Sequence, residues 1–206
     1  MTGARLAIIG AGGQGRIAAD AWESAGGVVV AYYDDGRPVL DKLKSPLKGG
    51  AAEAIADTND LHVAIGSNMV RARVADAIPD TRCPVVLHPI AVVSAHATIG
   101  AGTLVGAGAI VQTGARVGRH VIVNTGAIVE HDCVIGDFVH VAPGTRLAGD
   151  VTIGDRTLIG IGAVVLPGVT IGADVTIGAG AIVVGDVPSG QTFIGNPARL
   201  LNRRES

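Results

Sequence analysis

From Leu87 to Val183 every sixth residue is Leu, Ile or Val, at 17 positions out of 17. Glycines, small residues and scattered charges fill the gaps, as in VGAGAI VQTGAR VGRHVI VNTGAI VEHDCV IGDFVH. From Ala97 onward, the residue four places after each aliphatic is Ala, Thr, Val or Cys. A fixed short period marks a stacked array, and this one has the hexapeptide signature of a parallel β-helix. Each hexad predicts a short strand and a turn, and three hexads close one triangular coil. The aliphatic residue points inward and stacks on its neighbours above and below. Glycine and small residues suit the tight corners, where φ is positive. Residues 87–189 supply about five to six coils, and the phase never slips, so no long loop interrupts the ladder. Cys133 falls on a small inward place and reads as core packing rather than as a nucleophile.

Residues 1–86 follow another grammar. ARLAIIG predicts a strand, GAGGQG a glycine turn, and RIAADAWESAG a helix that stops at Gly26 or Gly27. VVVAYYDD is a second strand, LHVAIGSN a third, and MVRARVADAIP a further helix. The expectation is an α/β domain over 1–86, a small parallel sheet resembling half of a Rossmann fold. A left-handed parallel β-helix with a C-terminal tail follows over 87–206.

Gly10, Gly12 and Gly15 satisfy GxGxxG between a strand and a helix, and Asp34 and Asp35 follow at the distance of a ribose contact. Read literally, the motif binds a dinucleotide. The domain is long enough for one mononucleotide half only. Its backbone N–H groups could cradle the phosphates of one nucleotide at a helix N-terminus. Nucleotide or nucleotide-sugar binding, redox dinucleotide binding and a purely structural glycine turn stand as the three readings, with the first favoured. Gly10, Gly12, Gly13, Gln14, Asp34 and Asp35 are its candidate ligands. Gly66, Ser67 and Asn68 end the third strand and join them at the carboxyl edge of the sheet.

Composition narrows the classes. Net charge is −2 and there are five aromatic residues, which argues against nucleic acid as a partner. The two cysteines form neither a disulfide framework nor a metal pattern. The N-terminal apolar run is too short for a signal peptide, and no run reaches the roughly 20 apolar residues of a membrane span. The expected setting is cytoplasmic, with no membrane partner.

Six histidines remain to be placed. His96 and His120 occupy hexad turns and read as solvated. His131 lies between Glu130 and Asp132, either of which could orient the ring and raise its basicity; the plain alternative is a surface histidine. His140 follows nine residues later, half a coil on, so the two face different sides of one prism. They can meet only in a cleft between copies packed side by side, and a three-sided prism suits a homotrimer. No two histidines are five apart, the spacing that would resemble the zinc site of β-helical carbonic anhydrases, so no metal is expected.

The combination resembles the bacterial sialic acid O-acetyltransferase type of sugar acetyltransferases, which includes the nucleotide 4-amino-sugar N-acetyltransferases. The resemblance rests on IIGAGGQGR, AYYDDG, the ladder, NTGAIVEHDCVIGDFVHVAPGTRLAG and FIGNPAR. It implies a left-handed β-helix trimer using acetyl-CoA, with the acceptor's nucleotide on the N-terminal domain. It implies His131 as general base, Glu130 or Asp132 orienting it, and Asn124 near the acceptor. His140 and Gly149 would lie near the acetyl donor, the latter through a backbone contact to the thioester. Ile161, Gly195, Pro197 and Ala198 would form part of the CoA slot. Many relatives carry His where this chain has Gln14, which can donate a hydrogen bond but cannot move a proton.

The expected activity is acetyl transfer from acetyl-CoA to the 4-amino group of a nucleotide-linked sugar for surface glycan synthesis. O-acetylation of a sialic acid or related sugar, and a non-catalytic nucleotide-sugar scaffold, are the alternatives.

Overall fold

The computed structural model describes residues 3–36, 40–56 and 59–201; residues 1–2 and 202–206, the outer ends of the two expected regions, lie outside it. The N-terminal sheet holds β1 (Arg5–Ile9), β2 (Val28–Tyr33), β3 (Leu47–Gly49) and β4 (Asp60–Val63), in the order β3-β2-β1-β4, all parallel. Helix α1 (Gly13–Ser24) joins β1 to β2, α2 (Ala51–Ala56) joins β3 to β4, and α3 (Asn68–Ala75) follows β4. The pattern reading lacks β3 and α2, because three and six residues are too short to declare a period. Helix α1 begins inside the glycine run, at Gly13, so the turn itself is shorter than expected.

From Val86 the chain winds into a left-handed β-helix of three parallel sheets. Strands of two residues recur on each face at 18-residue steps, as in Leu104↔Ile122↔His140↔Leu158↔Thr176. The inward stack from Val105 to Val187 forms one continuous core of Val, Ile, Leu and Ala. The small inward places do more than fill space. Thr103, Thr145 and Thr157 each donate a hydroxyl to a carbonyl 15 residues on, at Gly118, Gly160 and Gly172. Cys133 takes the same place, its thiol on the Ala148 carbonyl at 3.2 Å. At the corners the fourth residue of the hexad turns left-handed. Glycine fills it in Gly114, Gly126 and Gly144, while His120, Asp132, Phe138, Asp150, Arg156 and Asp174 take φ between 50° and 62°.

One outer face of the helix is not outer at all. Val86, Leu104 and Ile122 point outward from consecutive coils, yet are buried among Leu6, Ile8, Trp22 and Tyr32 of the N-terminal domain. Burying three large aliphatics this way contributes roughly 1.5–3 kcal/mol each and fixes the α/β domain against the first coils. The next outward residue on that stripe is His140, which stands at the edge of the covered area. His120 corrects the expectation of a solvated turn: it is fully buried and stacks on Phe138 with ring centroids 5.6 Å apart. Corner residues extend sideways from the prism, and here the N-terminal domain closes over them.

Candidate active site

Two clefts flank the junction of the domains. The first, about 570 Å³, opens at the carboxyl edge of the sheet and is lined by Gly10, Gly12, Gly13, Gln14, Asp34 and Asp35, with Gly66 at its margin. Gly10 has φ +104°, and a Cβ there would stand 2.6 Å from the Ala64 carbonyl oxygen. Gly12 and Gly13 face open space instead and leave the floor bare. Asp34 is committed to the loop: its Oδ2 accepts from Ala11 N at 2.6 Å and its Oδ1 from Gly36 N at 2.7 Å. It shapes the glycine turn, whereas Asp35 Oδ1 accepts from Ala51 N at 3.1 Å. The Gln14 Nε2 is buried without a hydrogen-bond partner among the described residues. Such a donor beside a cleft is suited to a ligand acceptor.

The second cleft, about 820 Å³, lies between the Gly66–Met69 segment and the outer face of the helix, over His140, Gly160 and Ile161. Ser67 and Asn68 line this cleft rather than the first. Ser67 caps α3 through Val70 N. The Asn68 amide donates to the carbonyls of Arg156 and Thr157 at 2.9 and 3.1 Å. Arg156 in turn pairs with Asp174 through two hydrogen bonds of 2.8 Å.

Arg71 is the residue that sequence reading missed. It is 1% exposed and has no carboxylate partner among the described residues. Its guanidinium donates to the carbonyls of His120 (2.8 Å), Ile65 (2.7 Å) and Phe138 (2.7 Å) and to Asn68 Oδ1 (2.8 Å). Burial lowers its pKa to about 10, so it stays charged at neutral pH. An arginine in a helical stretch carries no mark of such a role; only the docking of the two domains reveals it.

His140 is locked neutral. Burial, reinforced by the nearby charge of Arg71 and opposed by the Gly66 carbonyl, pulls its pKa down to about 4. Its Nε2 stands 3.1 Å from Asn124 Nδ2, while Asn124 Oδ1 accepts from Thr125 N at 2.8 Å. The amide therefore donates to Nε2, which leaves the ring proton on Nδ1. Asn124 and His140 thus form one hydrogen-bonded unit under the second cleft.

His131 is held differently. It occupies a corner between the other two faces and lines neither cleft. Its side chain is 52% exposed, and Nδ1 lies 3.0 Å from Asp132 Oδ2. Geometry thus chooses Asp132 over Glu130 as its hydrogen-bonding neighbour. The hydrogen bond to Asp132 is the main cause of a pKa above the usual histidine range, with the charges of Asp132, Asp150 and Glu130 adding to it. Gly149, one coil on, packs against the ring, and its N–H has no partner among the described residues.

Gly195, Pro197 and Ala198 sit in a hairpin between the strands Thr192–Ile194 and Arg199–Leu200, at the far end of the face that carries the second cleft. Ala198 is buried and donates to Ile182 O at 2.7 Å, closing the last coil. These three residues do not line the second cleft. No group of His, Cys, Asp or Glu among the described residues could hold a metal ion. No helix among them is long and apolar enough to cross a membrane.

Comparison with known proteins gives these features a setting. Residues 5–78 match the model of the PglD N-terminal domain. Residues 96–131 match the hexapeptide repeat of succinyl-transferase, and 150–185 the bacterial transferase hexapeptide. A search of curated protein sequences returned no significant match. Among solved structures, the acetyltransferase domain of PglB from Neisseria gonorrhoeae, in complex with acetyl coenzyme A, is 39% identical with a TM-score of 0.89, covering 97% of this chain and 100% of that one. PerB from Caulobacter crescentus, in complex with CoA and GDP-perosamine, is 36% identical with a TM-score of 0.87, covering 96% and 97%. WeeI from Acinetobacter baumannii is 28% identical with a TM-score of 0.80, covering 95% and 99%.

Proposed function

The chain belongs to the hexapeptide-repeat sugar acetyltransferase family, and on that premise we propose that it moves the acetyl group of acetyl-CoA to the 4-amino group of a nucleotide-linked sugar. The observation that carries the reading is the exposed His131 imidazole, fixed through Nδ1 by Asp132 and with Nε2 lacking a hydrogen-bond partner among the described residues. Asp132 holds the proton on Nδ1, so the Nε2 lone pair is free to act as base. The sugar amine attacks the thioester carbonyl, its proton passes to Nε2 as the C–N bond forms, and the C–S bond breaks to release CoA, which takes up a proton. Base catalysis of this kind supplies about 10²–10⁴-fold. The unpartnered N–H of Gly149 is suited to the developing oxyanion. Holding two large substrates in register supplies much of the rest.

The first cleft has the size and donor pattern for the nucleotide, with Gln14 and the bare glycines at the phosphates. The second is suited to the pantetheine arm, over His140, Gly160 and Ile161. Within one chain His131 faces away from both. A homotrimer in which the corner of one prism meets the clefts of the next supplies the missing half of each site. We place the reaction in the cytoplasm, where acetyl-CoA is available.

The test is thiol release from acetyl-CoA with UDP- and GDP-linked 4-amino sugars and with their 4-hydroxy counterparts. Turnover with a 4-amino sugar, lost by about 10²–10⁴-fold in His131→Ala while size and melting temperature hold, is the expected result. Equal turnover of the hydroxyl acceptor would move the reading to O-acetylation. Full activity in His131→Ala would remove that residue from the mechanism.

A further inference from the structure

At the third place of the hexad, the turns from Ala95 to Ala179 carry Ala, Thr, Arg, His, Asp, Pro and Ile, with Gly149 as the single glycine. The left-handed place is the next residue, Asp150 at φ 62°, and Gly149 itself is not left-handed. Backbone conformation therefore does not explain the glycine. Its surroundings do. A Cβ built on Gly149 would overlap Cε1 and Nε2 of His131 and stand 3.1 Å from Cδ2. The two residues are brought together by register, because Asp150 N donates to His131 O at 3.0 Å from the coil above. The coil below shows the same arrangement for the other member of the pair. Asp132 N donates to Thr113 O at 3.1 Å, and a Cβ on Gly114 would overlap Asp132 Oδ1.

We propose that Gly149 is a positioning residue for the acetyl transfer: its bare Cα is the seat on which the His131 imidazole lies, with Gly114 serving the Asp132 carboxylate from the opposite side. Both side chains are more than half exposed, so packing from above does not hold them. The glycine seats let ring and carboxylate lie flat along the prism and meet at 3.0 Å. At Gly100, Gly154 and Gly160 a Cβ would instead strike backbone. There the cost of alanine falls on the fold. At Gly149 the obstructed atoms belong to the end of a mobile side chain, so the ring moves and the coil stays.

This inference rests on His131 being the base, and its first test is independent of turnover. The imidazole Cε1–H of His131 is titrated by NMR in the intact protein and in Gly149→Ala, without CoA. The seat predicts that the His131 pKa falls toward the ordinary histidine value as the Asp132 contact is lost, with the melting temperature unchanged. An unchanged titration overturns the proposal. The second test is a mutant cycle with the 4-amino nucleotide-sugar that gives turnover. Gly149→Ala should lower kcat by up to about 100-fold, hold KM for acetyl-CoA, and cause no further loss in His131→Ala. An equal loss in both backgrounds would mean that the added methyl acts other than through the ring, and would overturn the seat. Full activity of His131→Ala would defeat the base assignment instead, and the titration would still decide whether the glycine positions the ring.

Discussion

His131 and His140 lie nine residues apart in one ladder and are held in opposite ways. His131 stands at a corner in solvent, with a carboxylate on one nitrogen, a glycine against the ring and a raised pKa. His140 lies on a face at the edge of the N-terminal domain, hydrogen-bonded to Asn124 and held neutral by burial beside Arg71. The first arrangement suits a group that must gain and lose a proton. The second suits a group that must never change, because burial and the Asn124 amide hold it in one form. The same residue type serves as reagent in one setting and as joinery in the other, and only the surroundings tell them apart.

The strongest way to break this contrast is Arg71→Met. The carbonyls of Ile65, His120 and Phe138 would lose their shared donor, at a cost of about 3 kcal/mol in denaturant unfolding. The His131 titration should not move, because the lesion sits on the other side of the molecule. A shift in both histidines would mean that the two settings are coupled.

Asp132→Asn probes the corner alone. Asparagine tolerates the left-handed φ of 60° at this place, so the fold should hold. The raised pKa of His131 should fall, which moves the acid limb of the kcat/KM profile to lower pH. Turnover at neutral pH should drop about tenfold as ring orientation is lost. An unmoved profile would assign the orienting role to Glu130 after all.

Melting against pH separates the two kinds of histidine by sign. His62, His120 and His140 have folded pKa values of about 3, 4 and 4, all below the unfolded value. Unfolding therefore takes up protons at low pH. Stability from these groups is complete above about pH 6.5 and declines as pH falls toward 4. His131 runs the other way: its contribution is present below about pH 6.5 and fades as pH rises through its raised folded pKa. His140→Gln should flatten the acid slope by close to one proton, and a melting curve level down to pH 4 would contradict the buried neutral state.

The smallest expected effect is that of Cys133→Thr. Threonine already occupies the same place at Thr103, Thr145 and Thr157, with the same carbonyl bond. Stability should change by less than about 1 kcal/mol and activity not at all. Lost turnover would bring the thiol into the chemistry of the neighbouring corner.

The ladder was legible in the sequence because its period is a direct image of its geometry: one aliphatic residue per face, one small residue per corner. The His131 and Asp132 pair was legible for a similar reason, since its partners are adjacent in the chain. Asn124 and His140 are 16 residues apart, and only family resemblance pointed to Asn124. Arg71 gave no signal, and His120 gave a false one. Arg71 reaches carbonyls 49 and 67 residues away in the other domain, and no local pattern encodes the docking of the two domains. The acidic residues divide in the same way. Asp34 looked like a ligand by position, yet both of its oxygens serve the loop.

The covered stripe on the eight-stranded face has a further consequence. Along it Val86, Leu104 and Ile122 belong to the docked domain, and His140, Leu158 and Thr176 to the second cleft, one residue per coil. Coils advance by about 4.8 Å, the spacing of neighbouring strands. The span from the docked domain to the terminal hairpin is therefore counted in whole steps, like the notches of a ruler. Duplicating 18 residues would lengthen the groove by one notch and leave every face in register. Inserting six would turn everything beyond it onto the next face, so growth of this scaffold is confined to integers.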